Sequence, residues 1–198
     1  MRLLLVLLLP TLAGCAVSFG DRTVASTAAP RAAPGVAAPA ARVPTDVRRT
    51  TFIVRDMERS LRFWRDALGL QVNYDTVVTT SGVALPAGAP GAKARLVLLN
   101  ANDPWVGWVG LMQWTDPPLP DPGAYPRRLG PGAAVVVVNT DDVDRRCVAA
   151  AAVPGTAVTS PPRLQEYPGR NGGPAIRVRG CNVFDPDGTL VEINQILE

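Results

Sequence analysis

Two segments of the chain repeat the same local order, and this repeat constrains the fold more than any other feature of the sequence. In each segment a run of β-branched residues, 50–54 or 135–138, leads to an aspartate, Asp56 or Asp142. An aspartate at such a position caps a helix, because its side chain accepts hydrogen bonds from the first free backbone amides. Each segment therefore predicts a strand, an N-cap and a helix.

The two predicted helices share one apolar face. Gly69 supplies a C-terminal stop for the first helix. In the second helix Cys147 takes the position of Leu61, so we expect a small buried side chain there. Whether Cys147 pairs with Cys181 stays open, since the sequence gives no Cα separation. The apolar positions are Met57, Leu61, Trp64 and Leu68 in the first helix and Val143, Cys147 and Ala150 in the second.

Three further strands are predicted after each helix, at 71–74, 95–99 and 106–114, then at 157–159, 176–184 and 189–195. An Asp-Pro turn precedes the last strand of each segment, at Asp103 and at Asp185. The simplest fold is α+β, with two tandem β-α-β-β-β units that form a curved mixed-sheet cleft. We predict unit one at residues 48–118 and unit two at 131–198, within one domain at 47–198.

The first residues are typical of an export signal. A charged start is followed by a short apolar run at 3–9, too short to span ~30 Å of hydrocarbon. The order Leu12-Ala13-Gly14-Cys15 resembles the bacterial lipobox, which implies that residues 1–14 are removed and that Cys15 is lipidated. Residues 15–46, rich in Ala and Pro, are predicted to form a semi-extended linker.

This arrangement predicts a lipid-anchored protein of the cell envelope. Ala16 is not an aspartate, so the usual inner-membrane retention signal is absent and we expect the outer membrane, facing the periplasm. The distribution of charge along the chain does not indicate nucleic acid as a partner. The 20 basic and 17 acidic side chains are dispersed along the chain, whereas nucleic-acid binding needs clustered positive charge. The expected partners are a small molecule and, through Cys15, the membrane.

Two motifs carry a resemblance to a known family. The first is Asp-x-x-x-Ser-x-x-Phe-Trp, from Asp56 to Trp64, and the second is Asp-Pro-Asp-Gly-x-x-x-Glu, from Asp185 to Glu192. With the internal repeat, they resemble the vicinal oxygen chelate superfamily, which includes glyoxalase I, bleomycin-resistance proteins and extradiol dioxygenases. The resemblance covers about residues 48–196 and implies the two-unit fold. Members of the superfamily often pair, so a homodimer is also expected.

The resemblance implies four converging metal-ligand positions, one on the first and one on the last strand of each unit. They correspond to Arg49, Val135, Gly110 and Glu192, with Met112 or Gln113 as alternatives to Gly110. The chain has no histidine, and only Glu192 matches a metal ligand of the family. One carboxylate does not make a site for Zn²⁺ or non-haem iron, which take several N, S or O ligands. We expect no cofactor, with a weakly held divalent metal as the alternative.

Strand alternation indicates where a ligand would bind. On the last strand, Val191 and Ile193 alternate with Glu192 and Asn194, so one face suits helix packing and the other can carry a polar site. Arg49 is predicted either to face Glu192 across the cleft or to lie at the solvent-facing start of its strand. The candidate ligand-binding residues are Arg49, Thr51, Trp108, Met112, Glu192 and Asn194.

Three functions are compatible with these residues. The favoured one is metal-independent binding of a small molecule without catalysis, which resembles the bleomycin-resistance type. The second is a lyase or isomerase that resembles glyoxalase I and uses Glu192 as the candidate catalytic general base. The third is an envelope interaction module with a vestigial cleft.

Overall fold

The computed structural model describes residues 45–125 and 127–197. The predicted signal peptide, Cys15 and nearly all of the predicted linker lie outside this described part. Within it, every helix is too short or too polar to cross a membrane.

Unit one contains four strands and one helix, in the order predicted from the sequence. The elements are β1 (Arg49–Ile53), α1 (Met57–Leu61) with a π-helical continuation (Arg62–Ala67), β2 (Gln71–Thr79), β3 (Lys93–Asn100) and β4 (Trp108–Asp116). They form a sheet of order β1-β4-β3-β2, in which β1 runs parallel to β4 and the other neighbours are antiparallel.

Unit two repeats this arrangement. Its elements are β5 (Val135–Asn139), α2 (Val143–Ala151), β6 (Ala157–Tyr167), β7 (Ile176–Phe184) and β8 (Leu190–Leu197), with a short 3-10 turn (Arg170–Gly172) before β7. The sheet order is β5-β8-β7-β6, again with the first and last strands parallel. Two four-stranded mixed sheets of identical topology confirm the predicted α+β fold of two β-α-β-β-β units.

The predicted caps begin both helices. The Asp56 carboxylate accepts from the Arg59 amide at 3.0 Å, and the Asp142 carboxylate accepts from the Arg145 amide at 3.0 Å. Gly69, with φ of +86°, follows the first helix as predicted. The π-helical continuation was not predicted. It shifts the helix register so that Phe63 is buried together with Trp64.

The main core lies between the two helices and one face of each sheet, and it contains a disulfide. Val97, Leu111 and Ile193 contribute from the strands, and Leu61 and Cys147 contribute from the helices. Cys147 is bonded to Cys181, with their Cα atoms 6.2 Å apart. The pairing that the sequence left open is therefore formed. Helix α2 packs on β7, which brings the two thiols together across elements that are distant in sequence.

Candidate functional site

Each sheet has a helix-packed face and an opposite face, which we call the cleft face. On β8, Val191 and Ile193 are fully buried against the helices, while Glu192 and Asn194 are half-buried on the cleft face. On β1, Phe52 stacks on Trp64 with ring centroids 5.4 Å apart. The alternate residues of β1 lie on the cleft face.

The cleft face of unit one is covered at β3 and β4 by the chain itself. Met112 and Trp114 on β4 are buried there, where they pack with Ala92 and Ala94 in a second core cluster. The connection between β2 and β3 folds back over these side chains. It is held by a 2.8 Å hydrogen bond from the Thr80 amide to the Ala92 carbonyl. Gly88 lies so close to the Trp114 indole that a Cβ there would be 2.6 Å from Nε1.

The cleft face of unit two is open. Val135 and Val137 on β5 are 43% and 57% exposed. Beside them on neighbouring strands lie Asn182, Glu192 and Asn194, all half-buried. The Asn182 amide donates a long 3.3 Å hydrogen bond to one Glu192 oxygen. We refer to these five residues as the unit-two cleft face.

The six predicted ligand-binding residues divide between the two sheets. Arg49 and Thr51 are exposed on β1, and Trp108 and Met112 lie on β4, with Met112 buried under the β2–β3 connection. Glu192 and Asn194 lie on β8. In the described part of the chain, no hydrogen bond or ion pair joins Arg49 to Glu192. Glu192 instead accepts a hydrogen bond from a neutral amide on its own sheet, that of Asn182.

The strand registers identify the counterpart of Glu192 in unit one. Thr51 pairs with Gly110 as Val137 pairs with Glu192, and each of these two first-strand residues lies two positions after Arg49 or Val135. Gly110 is therefore the counterpart. The side chain of Thr51 covers Gly110, since a Cβ there would lie 2.5 Å from Thr51 Oγ1.

The residues present do not fit a divalent metal centre. The four family positions hold a guanidinium, a valine, a glycine and one carboxylate. The alternative Gln113 points to the helix side, where it accepts from the Met57 amide at 2.9 Å. Within residues 45–125 and 127–197, no three Asp, Glu or Cys side chains cluster as metal ligands. Structural and catalytic metal sites in proteins need about three protein ligands.

A groove of about 920 Å³ separates the free edges of β1 and β5. Thr50 and Trp108 line it from unit one, and Val137 and Arg146 line it from unit two. Arg146 Nη1 donates to the Ala67 carbonyl at 3.0 Å, so this guanidinium joins the second helix to the end of the first. Of the predicted ligand-binding residues, Trp108 lines this groove.

The Asp-Pro-Asp-Gly motif contains two buried carboxylates, and one of them, Asp187, connects the units. Asp187 accepts from the Ser60 hydroxyl at 2.9 Å and from the Arg55 amide at 3.2 Å, both in unit one. Asp185 accepts from the Asp187 and Thr189 amides. Burial, reinforced by the nearby Asp187 charge, raises the pKa of Asp185 to about 6. From the sequence, this motif indicated only the fold. Its role in joining the two units was not predicted.

The fold and the arrangement of the two sheets define a glyoxalase-like protein. The chain belongs to the Glyoxalase/Bleomycin resistance protein/Dioxygenase superfamily, whose family model matches residues 47–193. The resemblance to this superfamily seen in the sequence is thereby confirmed. No curated relative matches the chain by sequence.

The chain is similar to several solved structures, and the first of them shows the same fold. A glyoxalase family protein from Bacillus cereus superimposes with a TM-score of 0.59 at 16% identity, covering 81% of this chain and 100% of that one. The antibiotic-binding protein TnmS3 from a Streptomyces species gives 0.46 at 21% identity, covering 79% and 100%. Glyoxalase I from Zea mays gives 0.44 at 18% identity, covering 75% of this chain and 45% of that one.

Proposed function

We propose that this protein binds a small molecule on the unit-two cleft face without a metal ion. The observation that carries the proposal is the environment of Glu192, a half-buried carboxylate whose one hydrogen-bond partner among the described residues is the Asn182 amide at 3.3 Å. An ionised carboxylate has about four acceptor positions, so most of them are not taken by described side chains and are accessible to a ligand. A partly buried carboxylate gains free energy from a cationic or N–H donor partner.

The surroundings of Glu192 suit an amphipathic ligand. Val135 and Val137 offer exposed apolar surface on the adjacent strand, and Asn182 and Asn194 offer amide donors and acceptors. A ligand with a planar cationic or N–H-rich group would direct that group at Glu192. Its apolar part would cover the two valines. Binding without reaction is favoured over glyoxalase-like catalysis because the ligand positions do not fit a metal.

Benzamidine is a suitable first probe, since its amidinium carries paired N–H donors and its ring is apolar. We expect calorimetric titration to detect weak binding, and we expect the neutral analogue benzamide to bind less tightly. In Glu192→Gln the affinity for benzamidine should fall roughly tenfold or more, because hydrogen bonds to charged groups contribute about 1.5–3 kcal/mol. Glu166→Gln is the matched control, since Glu166 is exposed on β6 and pairs with Arg177. Equal binding by all three proteins would contradict the proposal.

We further propose that the protein is anchored in the cell envelope through a lipid on Cys15. The lipobox-like sequence supports this location, and so does the Cys147–Cys181 disulfide, because disulfides persist in oxidising compartments. Labelling of cells with radioactive palmitate should mark the wild-type chain and leave Cys15→Ser unmarked. Equal labelling of the two chains would refute the anchor.

A further inference from the structure

A separate pocket of about 330 Å³ lies where β1 and β4 end, beneath the segment that connects the two units. We call it the linker pocket. Its walls are Ile53 and Trp114 from unit one and Pro118, Leu119, Pro120 and Tyr125 from the connecting segment. None of the four family metal positions and none of the residues of the unit-two cleft face lines it. The linker pocket is therefore distinct from the site proposed above.

The outer wall of the linker pocket is fixed by contacts with both units. The guanidinium of Arg55 lies 4.4 Å above the ring of Tyr125. The side chain of that tyrosine packs on Gly188, where an added Cβ would be 2.7 Å from Tyr125 Cβ. Arg127 donates to the carbonyls of Asp185 and Gly155. The connecting segment is thus attached to the Asp-Pro-Asp-Gly turn of unit two.

The charged groups around the pocket are already occupied by one another. Arg55 donates to Asp187 at 3.3 Å, to Asp121 at 3.4 Å, and to the carbonyls of Gly123 and Pro186 at 3.0 Å each. Asp121 also accepts from the Gly123 amide, which with Arg55 lowers the pKa of this carboxyl. An anionic ligand would have to displace these contacts in order to pair with Arg55.

The other polar groups of the pocket wall have few hydrogen-bonding positions left for a ligand. Gln113 accepts from the Met57 amide at 2.9 Å and donates to the Arg55 carbonyl at 3.0 Å, so both ends of its side-chain amide are used. Among the described residues of the wall, the Tyr125 hydroxyl and the Trp114 indole N–H have no hydrogen-bond partner, and the indole nitrogen is buried beside Gly88. The pocket therefore offers a ligand apolar and aromatic surface with one hydroxyl.

The volume sets the size of the ligand. A cavity of roughly 150 Å³ holds one benzene molecule. The linker pocket has about twice that volume. We propose that it binds a compact, uncharged molecule of two fused rings, held by contacts with Trp114, Leu119 and the surrounding prolines.

The test is calorimetric titration of the full chain with 2-naphthol and with 2-naphthoate at pH 7. The two probes share their rings and differ in charge. We expect 2-naphthol to bind one molecule per chain and 2-naphthoate to bind at least tenfold more weakly. No saturable binding of 2-naphthol, or equal binding of both probes, would overturn the proposal. This comparison needs no variant.

Substitutions in the wall of the linker pocket test whether 2-naphthol binds there. Leu119→Trp fills the pocket from the connecting segment and Ile53→Trp fills it from β1, and each should abolish binding of 2-naphthol. The matched control is Leu129→Trp, because Leu129 is 50% exposed in the same connecting segment and does not line the pocket. Retained binding in both filled variants, with folding verified by circular dichroism, would also overturn the proposal. Glu192→Gln should bind 2-naphthol like the wild type, which separates this result from the fate of the unit-two cleft face.

Discussion

The cleft faces of the two units have the same strand order but differ in exposure at their last strands, β4 and β8. Trp114 on β4 and Ile196 on β8 occupy equivalent positions, four residues after Gly110 and Glu192 respectively. Trp114 is 2% exposed and Ile196 is 60% exposed. The difference comes from the connections, because the β2–β3 connection folds over its own sheet. A duplicated fold can thus use one cleft face for packing and leave the other for a ligand.

The largest expected difference between the faces is in stability. Trp114→Ala should lower the free energy of unfolding by about 3–5 kcal/mol, because it removes a buried aromatic side chain and leaves a cavity. Ile196→Ala at the equivalent position should change it by about 0.5 kcal/mol or less. Urea unfolding of both variants measures the contrast. Similar losses in the two variants would mean that the faces are not differently packed.

On the helix-packed face, unit two has a disulfide at the two positions where unit one has apolar side chains. Leu61 and Val97 in unit one correspond to Cys147 and Cys181 in unit two, by their places after the N-caps and in the strand registers. Replacing both cysteines by alanine should cost roughly 3–4 kcal/mol, the chain-entropy value for a closed loop of 34 residues.

The double variant Cys147→Leu with Cys181→Val copies unit one at these positions. It should recover part of the loss by restoring buried apolar volume. Denaturant unfolding of the two double variants, side by side, measures the recovery. If both were as stable as the wild type, the disulfide would contribute nothing to the stability of unit two.

The Asp-Pro turn of unit two should make the stability of the protein depend on pH. Burial raises the pKa of Asp185 from 3.8 to about 6. The folded protein therefore holds this proton more tightly than the unfolded chain does, and stability should fall as the pH rises from about 4 to 6, by up to roughly 3 kcal/mol. Carboxylates with lowered pKa values, such as Asp75 beside Arg95, act in the opposite direction, mainly below about pH 4.

Asp185→Asn isolates this effect. The variant keeps an oxygen that can accept from the Asp187 and Thr189 amides, and it carries no titrating proton. Its unfolding free energy should change less than that of the wild type between pH 4 and pH 6. Parallel curves for the two proteins in urea titrations at several pH values would argue against a protonated Asp185.

Local chemistry explains why much of the fold could be predicted. Neighbouring residues determine the helix caps at Asp56 and Asp142 and the alternation on β8. Both features were predicted correctly. Strand β6 was predicted to end at residue 159, but it continues to Tyr167 through Pro161 and Pro162. Two register shifts in its pairing with β7 accommodate these prolines, and sequence alone does not reveal such irregularities.

The candidate site was harder to predict because it depends on contacts between distant segments. Met112 is buried because the β2–β3 connection covers it. The alternation of residues along a strand does not predict the path of such a connection. The Cys147–Cys181 bond likewise depends on how α2 packs on β7. The linker pocket needs the connecting segment to fold back onto β4. No site was predicted in that segment from the sequence.

The central claim is that the unit-two cleft face works without a metal ion, and metal content tests it most directly. The measurement is elemental analysis of the wild-type protein and of Glu192→Gln, both purified without chelator. We predict that neither protein contains a stoichiometric amount of any divalent metal. A stoichiometric metal in the wild type that is absent from Glu192→Gln would contradict the account and favour a glyoxalase-like lyase or isomerase.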